Sequence, residues 1–525
     1  MKRLFFFFFL ICFFQSTSYG QYRLDNHWFF CLNSLVNEST LGSAYFDFRD
    51  FPPADPVYIE NAMDHDYTNA VISDSMGNLL FYTNGCWIAN RNHEMMLRGD
   101  SLNLAEDGTV YHTCQNPDKS GYRSNDGALI LPQPGNDSMY FLFHYREQLS
   151  DSFTGAFGIY YTTINMHLDS GLGGVVEKNV PMEEDWVWDQ ELKAVRHANN
   201  RDWWIVNQDR PETDYLRWLL SPQGLSGPFR QQNMGPTPRR NSSSAGFADF
   251  SLDGKYYVRN LRWMDVLLYE FDRATGELSG PVILKKKSDT TVINDLGGGV
   301  AFSPSGQFLY SSTTGDTLWQ WDLWASDIPG SATVVEVWDG FEQFPNGNGL
   351  TNLYQLRLGP DCRIYISPSR YTTYLHVINW PDRKGVACDV QQRAILLPCG
   401  NINSLPNFAN YRLGTPYPVC DTSLHSVSKT IVATSQPVQP SGSHLTVSLW
   451  PNPASDQVYC KVNASPSQRF HLRLFNSLGQ QVQFLEVFGN QNTPISVQAL
   501  SAGIYWVSMV SQQGERVTKK LVVRR

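Results

Sequence analysis

Charge is scarce in this chain: 17% of its 525 residues are charged, against about 25% in an average soluble domain. The balance is mildly acidic, at −9. Such a surface argues against nucleic acid as a partner, because neutralising phosphates takes clustered Lys and Arg. The one basic run, Lys285-Lys286-Lys287, reads as a solvated strand end. Long apolar runs are missing too. Past the first twenty residues no segment has the roughly 20 apolar residues that a membrane-spanning helix needs, so no membrane span is expected. No cysteines are spaced as CxxC, which disfavours zinc and thioredoxin-like chemistry. GxSxG, P-loop and GxGxxG signatures are absent, and His93-Glu94-Met95-Met96-Leu97 opens like a zincin helix but lacks the second His. No cofactor and no metal are expected.

What is present begins at the N-terminus. Lys2 and Arg3 precede an eleven-residue apolar run, Leu4 to Phe14, and a polar stretch that ends at Ser18-Tyr19-Gly20. That is the order of a cleavable signal peptide, residues 1–20, and the run is too short to cross a bilayer. Cleavage removes two positive charges and takes the net from −9 to −11. Of nine cysteines, Cys12 leaves with the signal, and Cys31, Cys86, Cys114, Cys362, Cys388, Cys399, Cys420 and Cys460 stay. An even count in an exported chain permits disulfides. Cys86 with Cys114 and some pairing among the four from Cys362 to Cys420 are the expected bonds, with free buried thiols as the alternative for half of the eight.

Aromatic residues reach 13%, with 15 Trp, 25 Tyr and 30 Phe, a composition that suits sheets. A pattern recurs along the body: an apolar residue, often Ser, a turn with Asp or Gly, then a run of apolar or aromatic residues. The clearest copies are Phe250-Ser251-Leu252-Asp253-Gly254, Phe302-Ser303-Pro304-Ser305-Gly306 and Leu358-Gly359-Pro360-Asp361-Cys362. Each is a hairpin signal. The spacing from Gly246 to Gly299 is 53 positions and from Ala194 to Gly246 is 52, close to the ~40–50 residues of a propeller blade. The predicted fold is therefore all-β: a β-propeller of about seven blades over residues 21–413, a linker over 414–443 and a small Ig-like β-sandwich over 444–525. The innermost strands are expected at Ala70–Ser73, Gly127–Leu131, Lys193–His197, Gly246–Phe250, Gly299–Phe302, Tyr354–Leu358 and Asn407–Tyr411, with one blade built from both chain ends to close the ring.

Those innermost strands carry the candidate site. They hold one acid, Asp249, beside Lys193, Arg196, His197 and Arg357, a set of possible central-channel ligand contacts. Glycoside hydrolysis needs two carboxylates together, so this inventory favours a non-catalytic binding module, for a glycan or a protein, over a hydrolase. The alternative is a secreted hydrolase of polysaccharide or peptide that uses Asp249 with loop acids such as Asp64 or Asp66. Asp64-His65-Asp66 reads either as a cation or acid–base site or as a solvated turn. Trp186, Trp188, Trp203 and Trp204 read either as sugar-stacking rings or as filler between blades.

The last eighty residues carry four motifs in order: Trp450-Pro451-Asn452-Pro453-Ala454-Ser455-Asp456, Leu474-Phe475-Asn476-Ser477-Leu478-Gly479-Gln480, Leu500-Ser501-Ala502-Gly503-Ile504-Tyr505, and Lys519-Lys520-Leu521-Val522-Val523. This segment resembles the type A C-terminal sorting domain of the type IX secretion system of Bacteroidetes, with Trp450 where the family usually has Tyr. The resemblance implies that Pro451, Asn452, Pro453, Gly479, Gly503, Tyr505, Lys519 and Lys520 carry the sorting signal, that the secretion machinery is a partner, and that the product is secreted or held at the outer surface. The body is similar to propeller-type cargo regions of the same bacteria, through Tyr82-Thr83-Asn84-Gly85, Leu131-Pro132-Gln133-Pro134-Gly135, His376-Val377-Ile378-Asn379 and Leu405-Pro406-Asn407-Phe408, and Trp321-Asp322 matches the WD dipeptide of WD40 blades. Deleting residues 503–525 is expected to leave the protein in the periplasm; fractionation of the truncated strain checks this, and normal surface delivery would refute the sorting assignment.

Overall fold

The structure is a computed structural model. It describes residues 23–31, 42–49, 55–60, 63–65, 67–103, 114, 121, 124–149, 154–189, 191–209, 214–235, 246–261, 266–285, 297–313, 316–344, 349–413, 446–466, 468–475, 481–511 and 516–524. The expected signal peptide, the expected linker, Asp66, Gly479 and Cys420 lie outside these residues. No described helix is long and apolar enough to cross a membrane.

Among the described residues, seven antiparallel sheets follow one another in chain order ahead of the C-terminal segment. We number them as blades 1 (27–60), 2 (70–90), 3 (128–186), 4 (193–231), 5 (246–285), 6 (297–337) and 7 (355–401). Among the described residues, blades 1 and 2 have three strands and the others four. The first strands pack side by side from blade 1 to 2, 2 to 3, 4 to 5, 5 to 6 and 6 to 7. Blades 3 and 4 are joined where Trp188 N–H donates to Gln208 O at 3.0 Å. The last strand of blade 7, Val390–Asn401, packs on blade 1, which closes the ring.

The hairpins explain why the repeat was visible. In blade 5, Gly254 takes a left-handed φ of 69°, which glycine adopts without steric cost. Ser251 Oγ donates to Asp253 at 2.6 Å and accepts the Tyr256 N–H at 2.9 Å. Blade 6 repeats the device with Gly306 at φ 72° and Phe308 N–H on Ser303 Oγ at 3.1 Å. Blade strands are covered on both faces by neighbouring blades, so Lys193–Arg196 and Trp203–Gln208 are buried at every position. Trp188, Trp203 and Trp204 are buried filler of that kind, while Trp186 is half-buried against Phe157.

Two expectations about ring closure need correction. Residues 407–411 are not an innermost strand, because His27–Phe30 already supplies the seventh; among the described residues no blade combines both chain ends. One disulfide also lies outside the expected pairings. Cys86–Cys114 forms as expected, but Cys399 bonds to Cys31, 368 positions away, because the ring sets its first and last blades side by side. Cys362 is also disulfide-bonded, and Cys388 and Cys460 are buried free thiols.

Asp64 and His65 are fully buried rather than a solvated turn. His65 N–H donates to Cys31 O at 2.7 Å, its ring lies 5.9 Å from Phe29 and 5.6 Å from Tyr82, and neither ring nitrogen has a hydrogen-bond partner. Burial pushes its pKa down to about 3.

Residues 446–524 form a second unit. A three-stranded sheet (Thr446–Trp450, Gln457–Asn463, Asn492–Ser496) and a four-stranded sheet (Gln481–Phe488, Arg469–Phe475, Gly503–Ser511, Arg516–Val523) share a core that includes Val458, Cys460, Val462, Leu472, Val507 and Met509. Gln457–Asn463 alternates strictly between exposed and buried, the period-two signature of a strand with one covered face. Pro451, Asn452, Gly503 and Lys519 are exposed, and Tyr505 is buried with its hydroxyl on Ser501 O at 2.9 Å.

Two measurements check this account. Replacing Cys31 and Cys399 with Ser reopens a very long loop in the unfolded chain and is expected to cost on the order of 4 kcal/mol; an unchanged Tm would contradict a role in closing the ring. For His65 the folded pKa lies below the unfolded 6.5, so between about pH 6.5 and 3 the unfolded chain binds a proton that the folded chain does not, and stability falls as pH falls. Between pH 7.5 and 4.5 that loss is about 2–3 kcal/mol. His65→Phe is expected to lose that much less than the parent across this range in urea denaturation.

Candidate functional site

The segment that follows blade 7, residues 404–413, crosses the ring axis. Its backbone finds no sheet, so its polar groups are satisfied one blade at a time, as buried groups must be. Asn407 N–H donates to Asn69 O at 2.8 Å, and its side-chain amide faces the carbonyls of Ala128 at 3.1 Å and Leu192 at 3.0 Å. Asn410 N–H donates to Ala194 O at 3.0 Å and its amide to Ser251 O at 2.7 Å. The Tyr411 hydroxyl donates to Ile130 O. Gln355 Oε1 accepts the Leu405 N–H at 3.0 Å. Arg412 reaches Gly359 O at 3.2 Å and the Asp25 carboxylate at 2.6 Å. We call this segment the plug.

Around the plug the charges are paired. Asp126 lies between Lys193, at 2.6 Å, and Arg357, at 2.5 Å, with both acid and amine side chains 1% exposed. Lys193 Nζ also donates to Asn407 Oδ1 at 2.7 Å. Burial, then the neighbouring Arg357 cation, brings the Lys193 pKa down to about 8, against the pull of Asp126 and Asp249. Burial raises the Asp25 carboxyl in spite of Arg412. Burial also raises Asp249, against Lys193 and Arg357. The half-buried Asp249 accepts the Phe250 N–H at 2.9 Å and has no side-chain hydrogen-bond partner among the described residues.

A half-open cavity of about 60 Å³ lies against the plug, lined by Asp25, Asp249, Phe302 and Arg357 and, from the plug itself, Phe408 and Arg412, among others. Of the five residues expected at the channel, the structure brings Lys193, Asp249 and Arg357 together. Arg196 and His197 are not part of this group. Arg196 lies 4.1 Å over the Trp203 ring and donates to Asn200 O at 3.1 Å, and His197 is exposed with its ring on Ala274 O at 3.0 Å. The reason is length: three residues of strand carry Arg196 roughly 10 Å along the blade from Lys193.

Sequence reasoning missed Asp25, Asp126 and Arg412 as central residues, and placed Asn407 at the centre only as part of a strand. Asp126 sits at a left-handed φ of 51° in the turn before blade 3, so its only local signal was that of a turn residue. A second buried pair, Glu191 with Arg259 at 2.6 Å, was also missed; it lies beside Tyr215, and no cavity lining includes it among those described.

No curated protein sequence matches the chain. Similar solved structures include the periplasmic gluconolactonase PpgL of Pseudomonas aeruginosa (12% identity, TM-score 0.39, covering 73% of this chain and 98% of that one). The β-propeller domain of Cps50 (Swd1) from Myceliophteria thermophila has 11% identity and a TM-score of 0.30, covering 76% and 98%. Sqt1 of Chaetomium thermophilum has 10% identity and a TM-score of 0.34, covering 69% and 79%. Likeness of this degree says nothing about activity. Residues 448–524 match the secretion system C-terminal sorting domain, and with the seven-bladed ring ahead of it the chain is a β-propeller cargo of the type IX secretion system, addressed to the cell surface or the medium.

Proposed function

We propose that the exported ring is a non-catalytic binding module for an extracellular ligand, and the state of the central carboxylates carries this reading. Glycoside hydrolysis needs an acid and a second carboxylate at roughly 5–9.5 Å, both within reach of substrate. Asp126 is buried between two cations, and Asp25, although it lines the cavity, is ion-paired through one oxygen with Arg412, so the cavity holds no two free carboxylates. Asp249 alone keeps a half-buried carboxylate toward the cavity. Its partners in the hydrolase alternative give that reading no support: Asp64 is fully buried, holds the Asn84 amide through its backbone oxygen at 2.9 Å and is not among the cavity's lining residues, and Asp66 is not described.

A binding role also suits the scaffold. A closed ring with its axis filled is stiff, and a stiff scaffold presents a site at little ordering cost. The purified mature protein is expected to turn over none of a panel of polysaccharides, peptides and sugar lactones. Turnover that Asp249→Ala abolishes would overturn the non-catalytic reading.

A further inference from the structure

The cavity against the plug has polar atoms that the protein leaves unmet. Arg357 is 5% exposed and Asp25 is 6% exposed, and both line the cavity. Arg357 spends one terminal nitrogen on Asp126, but its Nε has no hydrogen-bond partner. Asp25 spends one oxygen on Arg412, and its other oxygen, Oδ1, is buried without a partner. Asp249 adds a carboxylate whose one hydrogen bond comes from the backbone N–H that follows it. Buried donors and acceptors of this kind cost free energy until something pairs with them.

Three properties define what would fit. The lining has two carboxylates and two guanidinium groups, so its charge sums to zero and favours neither an anion nor a cation. It offers one N–H and at least two carboxylate oxygens, so an occupant must both donate and accept. Phe302 and Phe408 supply apolar walls, against which the C–H face of a sugar packs. A hydroxyl group donates and accepts through one atom, and a cavity of about 60 Å³ holds roughly four water-sized groups. A hydroxymethyl group or a vicinal diol fits that volume; a whole sugar ring does not.

We infer that this cavity is a subsite for the uncharged, hydroxyl-bearing end of a glycan, with Asp249 and Asp25 accepting from its hydroxyls and Arg357 Nε donating to one of them. The inference rests on the binding role proposed above and names its ligand class and contact residues. The remaining sugar rings lie outside the cavity.

The test uses the full mature chain and saturation-transfer NMR with methyl glycosides of glucose, galactose, mannose and N-acetylglucosamine and with their disaccharides. Sodium acetate and ethylammonium chloride serve as charged probes. At least one neutral sugar is expected to bind, and Asp249→Ala is expected to weaken it tenfold or more, the loss of a hydrogen bond to a charged group. Leu252→Trp, which narrows the same cavity, is expected to do the same and covers the case in which the Asp249 variant fails to fold. Binding of a charged probe in place of every sugar, or no binding by any of them, overturns the inference. Sugar binding that both variants retain also overturns it, yet leaves the binding role itself standing, so the two failures are distinguishable.

Discussion

The structure depends on filling the ring axis. A seven-bladed ring leaves a channel where the first strands meet, and carbonyls of those strands, such as Ala128, Ile130 and Ala194, are met there by residues 407–411. Residues 404–413 fill that channel, and the pairing of Asp126 with Lys193 and Arg357 ties blades 4 and 7 to the turn before blade 3. Removing one partner of a buried pair costs about 3–5 kcal/mol, more than the intact pair contributes. The cluster therefore acts mainly as a register: it is satisfied only when the turn before blade 3, blade 4, blade 7 and the plug are all in place.

That arrangement divides the molecule's polar residues into two kinds. Lys193, Asp126 and Asn407 serve the ring, because each has partners on other parts of it. Asp249, Arg357 Nε and Asp25 Oδ1 sit at the cavity with capacity to spare. Strands, turns and the plug thus contribute to both the lock and the cavity, and the two sets of residues differ in how many of their hydrogen bonds the protein itself uses. Raised carboxyl pKa values at Asp25 and Asp249 and the lowered value at Lys193 have one common first cause, burial.

Much was legible from local chemistry. Turn residues at Ser251–Gly254 and Ser303–Gly306 placed hairpins because glycine's left-handed φ and the Ser side chain act within a few residues. Six of the seven innermost strands were found from those turns. Residues 407–411 read as an innermost strand because a closing blade built from both chain ends was expected there, and nothing local says that their partners lie on several blades. Arg196 and His197 were grouped with Lys193 by adjacency in sequence, although a strand carries residues apart as fast as any element can.

The sequence by itself determined the C-terminal sorting domain, the all-β class, the blade spacing and the two-part body and tail, because each rests on contacts among residues a few positions apart. Only the tertiary structure decided that Cys31 meets Cys399, that the end of the body plugs the axis, and which of the central charges are already paired. Those depend on closing a ring, which brings residues hundreds of positions apart into contact, and no local pattern records which of them will meet.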